Sequence, residues 1–442
     1  MSDDQNSRAL ELDRAHVFHS WSAQSTRSPI AIAGGAGSTV WDHEGTRYLD
    51  FSSQLVNTNI GHQHPAVIDA ITRQAQTLAT VAPSHAVRVR GEAAQRILEL
   101  AGRAFSKVFF TNGGADAVEN AMRLARLTTG RDKILSTYRS YHGNTGGAIS
   151  ATGDWRRLPN EYSRGHVHFF GPYLYRSEFW ASHPEEESER ALRHLERVIE
   201  SEGPGTVAAV LLETVPGGAG VLVPPPGYLR GVRALTEKHG ITLILDEVMC
   251  GFGRTGDWFA FRGDLGDGAD SVVPDLITFA KGSNSGYVPA GGVIMTEEIA
   301  DAFSDRVFPG GLTYSGHPLA MAAIVGTIDA MKSERIVDHA REIGEDHLGP
   351  GLRALADAHG MIGEVRGRGV FWALELVQDR DSRRPVSPAL MADVSRRLIR
   401  LGLLPLVVEN RIHVVPPCIV TPAEVAKALS LYDEALTAVE QG

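Results

Sequence analysis

Between about residues 104 and 282, short apolar runs alternate with segments whose apolar residues recur at helical spacing. KVFFT, KILST, TVAAVLLETV, ITLILDEV and DLITFAKG read as strands, while ADAVENAMRLARL and the stretch from Gly227 to His239 read as helices. SHPEEESERALRHLERVIESEG sets Leu192, Leu195, Val198 and Ile199 along one helical side and crowds acids into its first turn, the pattern of a surface helix. Strands alternating with helices predict a large α/β domain built on a mostly parallel sheet. Ahead of it, TVWDHEGTRYLDFSS predicts a two-stranded unit turning at Glu44-Gly45. Beyond residue 320, helical stretches lead into RGRGVFWALEL and a last strand, NRIHVVPP. The two ends of the chain are expected to pack together as a smaller α+β domain, 1–65 with 326–442, against a large domain of 66–325. The active site is then expected between them.

Composition narrows the classes of function. Acids outnumber bases 53 to 43, a net charge of −10 that argues against nucleic acid as a partner and fits a soluble enzyme. Cys250 and Cys418 are the only cysteines, too few for a disulfide framework or a zinc-ribbon site, so a reducing compartment and no metal are expected. The N-terminal MSDDQNSRALELDRAH is polar and mixed in charge, without a secretion signal, which predicts a cytoplasmic protein. VAAVLL and LGLLPLVV fall far short of the roughly 20 apolar residues that span a bilayer. No membrane partner is expected.

Two of the predicted strands end on residues with chemical use. Asp246 closes ITLILD and Lys281 closes LITFAK, so both emerge at the carboxyl edge of the sheet, where ligands bind. A lysine delivered from a buried run is driven by desolvation toward the neutral, nucleophilic amine. Taken singly, each has an ordinary structural use: a lysine ending an apolar run often snorkels, and an aspartate after a strand often caps a turn. Their company is what counts. Asn112, Gly113 and Gly114 lie between a strand and a helix, where the N–H groups of residues 113 to 115, Ala115 included, can face an anion such as phosphate. Tyr141 and His142 follow KILST in a glycine-rich loop, where a ring could stack on a planar cofactor, and Glu213 ends TVAAVLLE on the same edge as Asp246. No dinucleotide fingerprint is present to support a nicotinamide enzyme. Oriented N–H groups for a phosphate, a carboxylate for a pyridine nitrogen and an amine for an aldehyde together predict pyridoxal 5'-phosphate.

ILDEVMCGFGRTGDWF, PDLITFAKG, YHG at 141–143, NGG at 112–114 and LTYSGHPLAMAA resemble the class III aminotransferases, over nearly the whole chain. These are fold type I pyridoxal-phosphate enzymes acting largely on ω-amines and ω-amino acids. The resemblance implies that Lys281 bonds the aldehyde, Asp246 pairs with the pyridine nitrogen, and Val248 packs on the ring face opposite Tyr141. Gly113 and Gly114 would hold the phosphate. Thr313 would reach the phosphate of a neighbouring subunit, which implies an obligate homodimer and leaves pairing into tetramers open.

Departures from the family pattern bear on substrate. Members that handle ornithine or 4-aminobutyrate commonly read EPIQGEGG where this chain reads ETVPGGAG, so Gly218 replaces a glutamate. The arginine that this glutamate pairs with, in the final strand, is replaced by His413, with Arg411 two residues earlier. Met249 stands where many members have a glutamine, and an apolar residue at that position resembles the ω-transaminase branch. The same branch places Trp21 of HSWS in the substrate pocket near Val56 and Tyr141. Arg411 and His413 share a strand face, so either is a candidate for a substrate carboxylate or sulfonate, or else Arg411 is a solvent-facing strand residue. The expected reaction moves an amino group from an ω-amine or ω-amino acid, such as taurine or β-alanine, to pyruvate or 2-oxoglutarate by a ping-pong mechanism. An aminomutase or racemase on the same fold is the nearest alternative. A non-catalytic cofactor-binding relative is a second, against which the retained Lys281 counts.

Overall fold

The computed structural model describes residues 2–263, 265 and 272–441. Near the N-terminus, β1 (Ile32–Ala36), β2 (Thr39–Asp42) and β3 (Arg47–Asp50) form an antiparallel meander whose second turn carries Gly45 at φ 88°, as the Glu44-Gly45 signal predicts. The central sheet holds β4 (Phe105–Thr111), β5 (Lys133–Thr137), β6 (His166–Phe169), β7 (Val207–Glu213), β8 (Thr242–Asp246), β9 (Leu276–Phe279) and β10 (Gly291–Thr296). Towards the C-terminus come β11 (Ile362–Arg368), β12 (Phe371–Leu376), β13 (Leu403–Leu404), β14 (Leu406–Val408) and β15 (Arg411–Val414).

The central strands lie in the order β4-β10-β9-β8-β7-β5-β6. Neighbours from β6 to β9 pair in parallel, whereas β10 runs antiparallel to both β9 and β4. Every residue of β7, β8 and β9 is buried, because helices cover both faces of the sheet; their near-continuous apolar runs follow from that. Alternate residues serve the two faces: Val210, Leu212, Leu243 and Leu245 enter one core, and Ala209, Leu211 and Ile244 the other. The apolar pattern did not reveal β6 and β10. HVHF is an edge strand with a histidine at every second position, and GGVIMT opens on two glycines, so neither shows the run that marks its neighbours.

The two ends of the chain do meet. β3 pairs in parallel with β13, and Leu49 and Phe51 share one core with Leu352, Leu374, Ile412 and Tyr432. In the C-terminal sheet, of order β11-β12-β15-β14, Leu374 and Ile412 face that core. Strand alternation turns Arg366, Glu375, Arg411 and His413 to the other face. Among the described residues no helix is long and apolar enough to cross a membrane.

Candidate active site

Register brings the acids together. Glu213 at the end of β7 pairs with Asp246 at the end of β8, and Asp246 pairs with Thr278 on β9. The Asp246 carboxylate is 4% exposed and fully engaged on its inner side. It accepts from the Val248 N–H at 3.0 Å and the Thr278 hydroxyl at 3.0 Å, and its Oδ2 meets His142 Nδ1 at 2.8 Å. The His142 side chain is wholly buried, so it braces Asp246 from behind and does not face the site as a stacking ring, which corrects the expectation for it.

Lys281 follows β9 at φ 36°, a left-handed conformation that costs a non-glycine residue on the order of 1 kcal/mol. Burial pushes its ammonium below the usual lysine range, against the pull of Asp246 and Glu213. The site therefore favours a neutral amine more than water does.

The loop at 112–114 opens the helix Gly114–Thr129, whose first bond runs from the Ala117 N–H to the Gly113 carbonyl at 3.1 Å. The N–H groups of Gly114 and Ala115 thus precede the helical ladder and are free to meet an anion. A Cβ on Gly113 would meet nothing within 4 Å, whereas one on Gly114 would press to 2.9 Å from Val248 Cγ1. Glycine at 114 is what lets Val248 sit against the helix terminus. An open cradle at the helix end, a buried lysine and a buried, braced aspartate fit the phosphate, aldehyde and ring nitrogen of pyridoxal phosphate.

Glu213 ties two walls of the site together, accepting from the Tyr141 N–H at 2.9 Å and the Gly217 N–H at 2.8 Å. Burial pushes its carboxyl up to about 6, with Asp246 adding to the effect and His142 opposing it. The Tyr141 ring meets Trp21 edge-on at 6.3 Å, and the Arg156 guanidinium carbon lies 3.8 Å from the Tyr141 ring centre and 5.9 Å from that of Trp21. Asp154 holds one edge of Arg156 through Nε and Nη2, and Nη1 makes no hydrogen bond among the described residues. Arg156 escaped the sequence reading. It lies in the short 3₁₀ turn Trp155–Asn160, and the only local cue is Asp154, which caps that turn.

The structure divides the remaining candidates. Trp21, 56% exposed, stands with Tyr141 and Arg156 as described, and Gly218 faces the same pair: a Cβ there would lie 3.8 Å from Tyr141 Cβ and 3.9 Å from Arg156 Nη2. Val56 does not line an open pocket, being buried in a cluster with Val215, Phe371 and Met249, while its neighbour Leu55 is exposed. His413 and Arg411 lie behind the 217–220 loop and do not face the site as substrate contacts. His413 Nε2 donates to the Gly217 carbonyl at 2.9 Å, and the Arg411 side chain packs against Gly220 and pairs with Glu409. Strand parity foresaw the shared face but not the loop laid across it. Thr313 is exposed, and its side chain makes no hydrogen bond among the described residues.

Only a cofactor with an aldehyde, a basic ring nitrogen and a phosphate uses all three ends of this cluster, and the chain is a pyridoxal-phosphate-dependent enzyme of fold type I. Over residues 21–436 its sequence matches the family described as aminotransferase class-III, and it belongs to that family. It is 35% identical over 415 residues to an acetylornithine aminotransferase of Methanopyrus kandleri, covering 93% of this chain and 96% of that one. A taurine–pyruvate aminotransferase of Bilophila wadsworthia is 30% identical over 455 residues, covering 98% and 97%. Among solved structures, the taurine:2-oxoglutarate aminotransferase of Bifidobacterium kashiwanohense, in complex with the cofactor and glutamate, superposes with a TM-score of 0.94 at 39% identity, covering 99% of each chain.

Proposed function

We propose that this aminotransferase takes its amino group from an ω-amino acid with an acid at its far end, such as taurine or β-alanine, and passes it to pyruvate or 2-oxoglutarate. The observation that carries the reading is Arg156, a cation stacked on Tyr141 and beside Trp21, within electrostatic reach of the buried lysine. Donor and acceptor occupy one pocket in turn in a ping-pong cycle, so a single guanidinium serves the sulfonate or carboxylate of each. The likeness to two enzymes named for taurine supports the same donor class.

Bound pyridoxal phosphate supplies a carrier for the amino group and a sink for the electron pair released when a substrate C–H bond breaks. Asp246, braced by His142, would keep the ring nitrogen protonated so that this sink is deep. Lys281 would bond the aldehyde at rest and, as a neutral amine, carry the proton between carbon atoms. Gly113, Gly114 and Ala115 would hold the phosphate, with Val248 and Tyr141 on the two ring faces and Glu213 fixing the Tyr141 loop. We assign the exposed Thr313 to the phosphate of a second copy, in a homodimer. The two free, buried cysteines agree with a reducing cytoplasm.

A half-reaction screen tests the donor. The visible absorbance of the loaded enzyme is expected to convert with taurine or β-alanine far faster than with ethylamine or propylamine, and to recover with pyruvate or 2-oxoglutarate. Equal conversion by the neutral amines would remove the acid from the reading. Turnover of a single substrate with no acceptor would replace transamination by isomerisation.

A further inference from the structure

The loop at 217–220 is held from three sides. Glu213 accepts the Gly217 N–H at 2.8 Å, His413 donates to the Gly217 carbonyl at 2.9 Å, and Arg366 Nε donates to the Gly220 carbonyl at 2.6 Å. A turn bond from the Gly220 N–H to the Gly217 carbonyl, 2.9 Å, closes it. The direction in which residue 218 points is therefore set by contacts on either side of it.

That direction is toward the cation. A side chain at 217 would be blocked at once, since its Cβ would lie 2.0 Å from the Met249 sulfur, and one at 220 would strike Arg411 and Arg366. At 218 the nearest atoms to a Cβ are at ordinary contact distance, Tyr141 Cβ at 3.8 Å and Arg156 Nη2 at 3.9 Å, and the backbone is not left-handed. Residue 218 can carry a side chain, and the first polar group that side chain would meet is Arg156.

We infer that Gly218 determines specificity: its missing side chain leaves Arg156 open to the acid of the substrate, and a carboxylate at 218 would take that place. The inference rests on the proposed role of Arg156. It differs from a loss of bulk or of loop shape, because it depends on charge at one position whose backbone is already fixed. A glutamate or aspartate there would engage Arg156 within the chain, so an acid-bearing substrate would have to displace it.

Gly218→Asp and its uncharged isostere Gly218→Asn separate charge from size, and Gly218→Ala reports the backbone alone. The ratio of kcat/KM for taurine or β-alanine to that for propylamine is expected to fall roughly 10- to 100-fold in Gly218→Asp relative to Gly218→Asn. Calorimetric binding of ethanesulfonate, an amine-free sulfonate, should weaken over the same range in Gly218→Asp and change little between Gly218→Asn and Gly218→Ala. Equal effects of Asp and Asn on both readouts would overturn the role of position 218 while leaving the donor class standing. If the unsubstituted enzyme neither prefers acid-bearing donors nor binds ethanesulfonate, the reading of Arg156 fails and this inference falls with it.

Discussion

His413 Nε2 donates to the carbonyl of Gly217 at 2.9 Å, so a histidine of the last strand supports the 217–220 loop. Donation through Nε2 fixes the tautomer with Nδ1 bare, and Nδ1 has no partner among the described residues. Burial pushes the ring down from its ordinary 6.5 to about 4, and Arg411 and Arg366 push the same way.

The sign of the resulting pH dependence follows from linkage. A depressed folded value means that the unfolded chain binds the proton first as pH falls, so this contribution is complete above 6.5 and lost as pH drops through about 4. It amounts to about 3 kcal/mol at the acid end. His413→Asn is expected to reduce the slope of unfolding free energy between those pH values, measured by urea titration. A slope identical to that of the unsubstituted protein would contradict the assignment.

Lys281→Ala should lower transamination by at least about 10³-fold, since no other amine stands at the end of β9. The visible band of the cofactor-loaded protein should change with it. Retention of both rate and band would remove Lys281 from its proposed place.

Asp246→Asn keeps the shape of the carboxylate but not its charge, and is expected to cost roughly 10²-fold in kcat or more. His142→Ala acts one bond further out, through the 2.8 Å contact to Asp246, and should cost less, on the order of tenfold. Steady-state kinetics of the two variants should keep that order. A larger loss from His142→Ala than from Asp246→Asn would mean that the histidine does more than brace the acid.

Glu213 gives the site an acid limb. Its carboxyl is raised from 4.5 to about 6 by burial, so the stability that the protonated form contributes is full below 4.5 and is lost as pH rises through about 6. Above that, the ionised acid is held at a cost of about 2 kcal/mol and accepts the N–H groups of both Tyr141 and Gly217. Protonation turns one of its oxygens into a donor and weakens that double tether. The profile of kcat/KM against pH should fall below about 6, and Glu213→Gln should flatten this limb while lowering the plateau roughly tenfold. An unchanged limb in the variant would assign it to another group.

Thr313→Val removes only a hydroxyl from an exposed loop, so within one chain it should be nearly silent. In the proposed homodimer it should weaken cofactor retention several-fold on dialysis, with the sedimentation behaviour of a dimer preserved. Undiminished retention would leave Thr313 without its role across the interface.

Asp246, Lys281 and the Gly113-Gly114 turn could be read directly because each is written in a few consecutive residues. A buried parallel strand must be an apolar run, and whatever follows that run emerges at the edge where ligands bind. The cofactor follows from those short stretches, and the reaction type from the longer motifs that carry the family resemblance. Arg156, Gly218 and His413 carry no such local signature. His413 meets Gly217 from 196 positions away, and Arg156 reaches Tyr141 only because a short turn folds back over the site. Strand parity rightly gave Arg411 and His413 one face, but alternation tells which face a residue takes and not which loop lies across it. Val56 and Leu55 are neighbours in sequence, yet one is core and the other surface, because a backbone with Ser53, Gln54 and Val56 all at positive φ breaks the periodicity on which such readings depend. Local pattern therefore defines the chemistry of the bond that breaks. The choice of substrate rests with contacts between distant segments, which packing alone brings together.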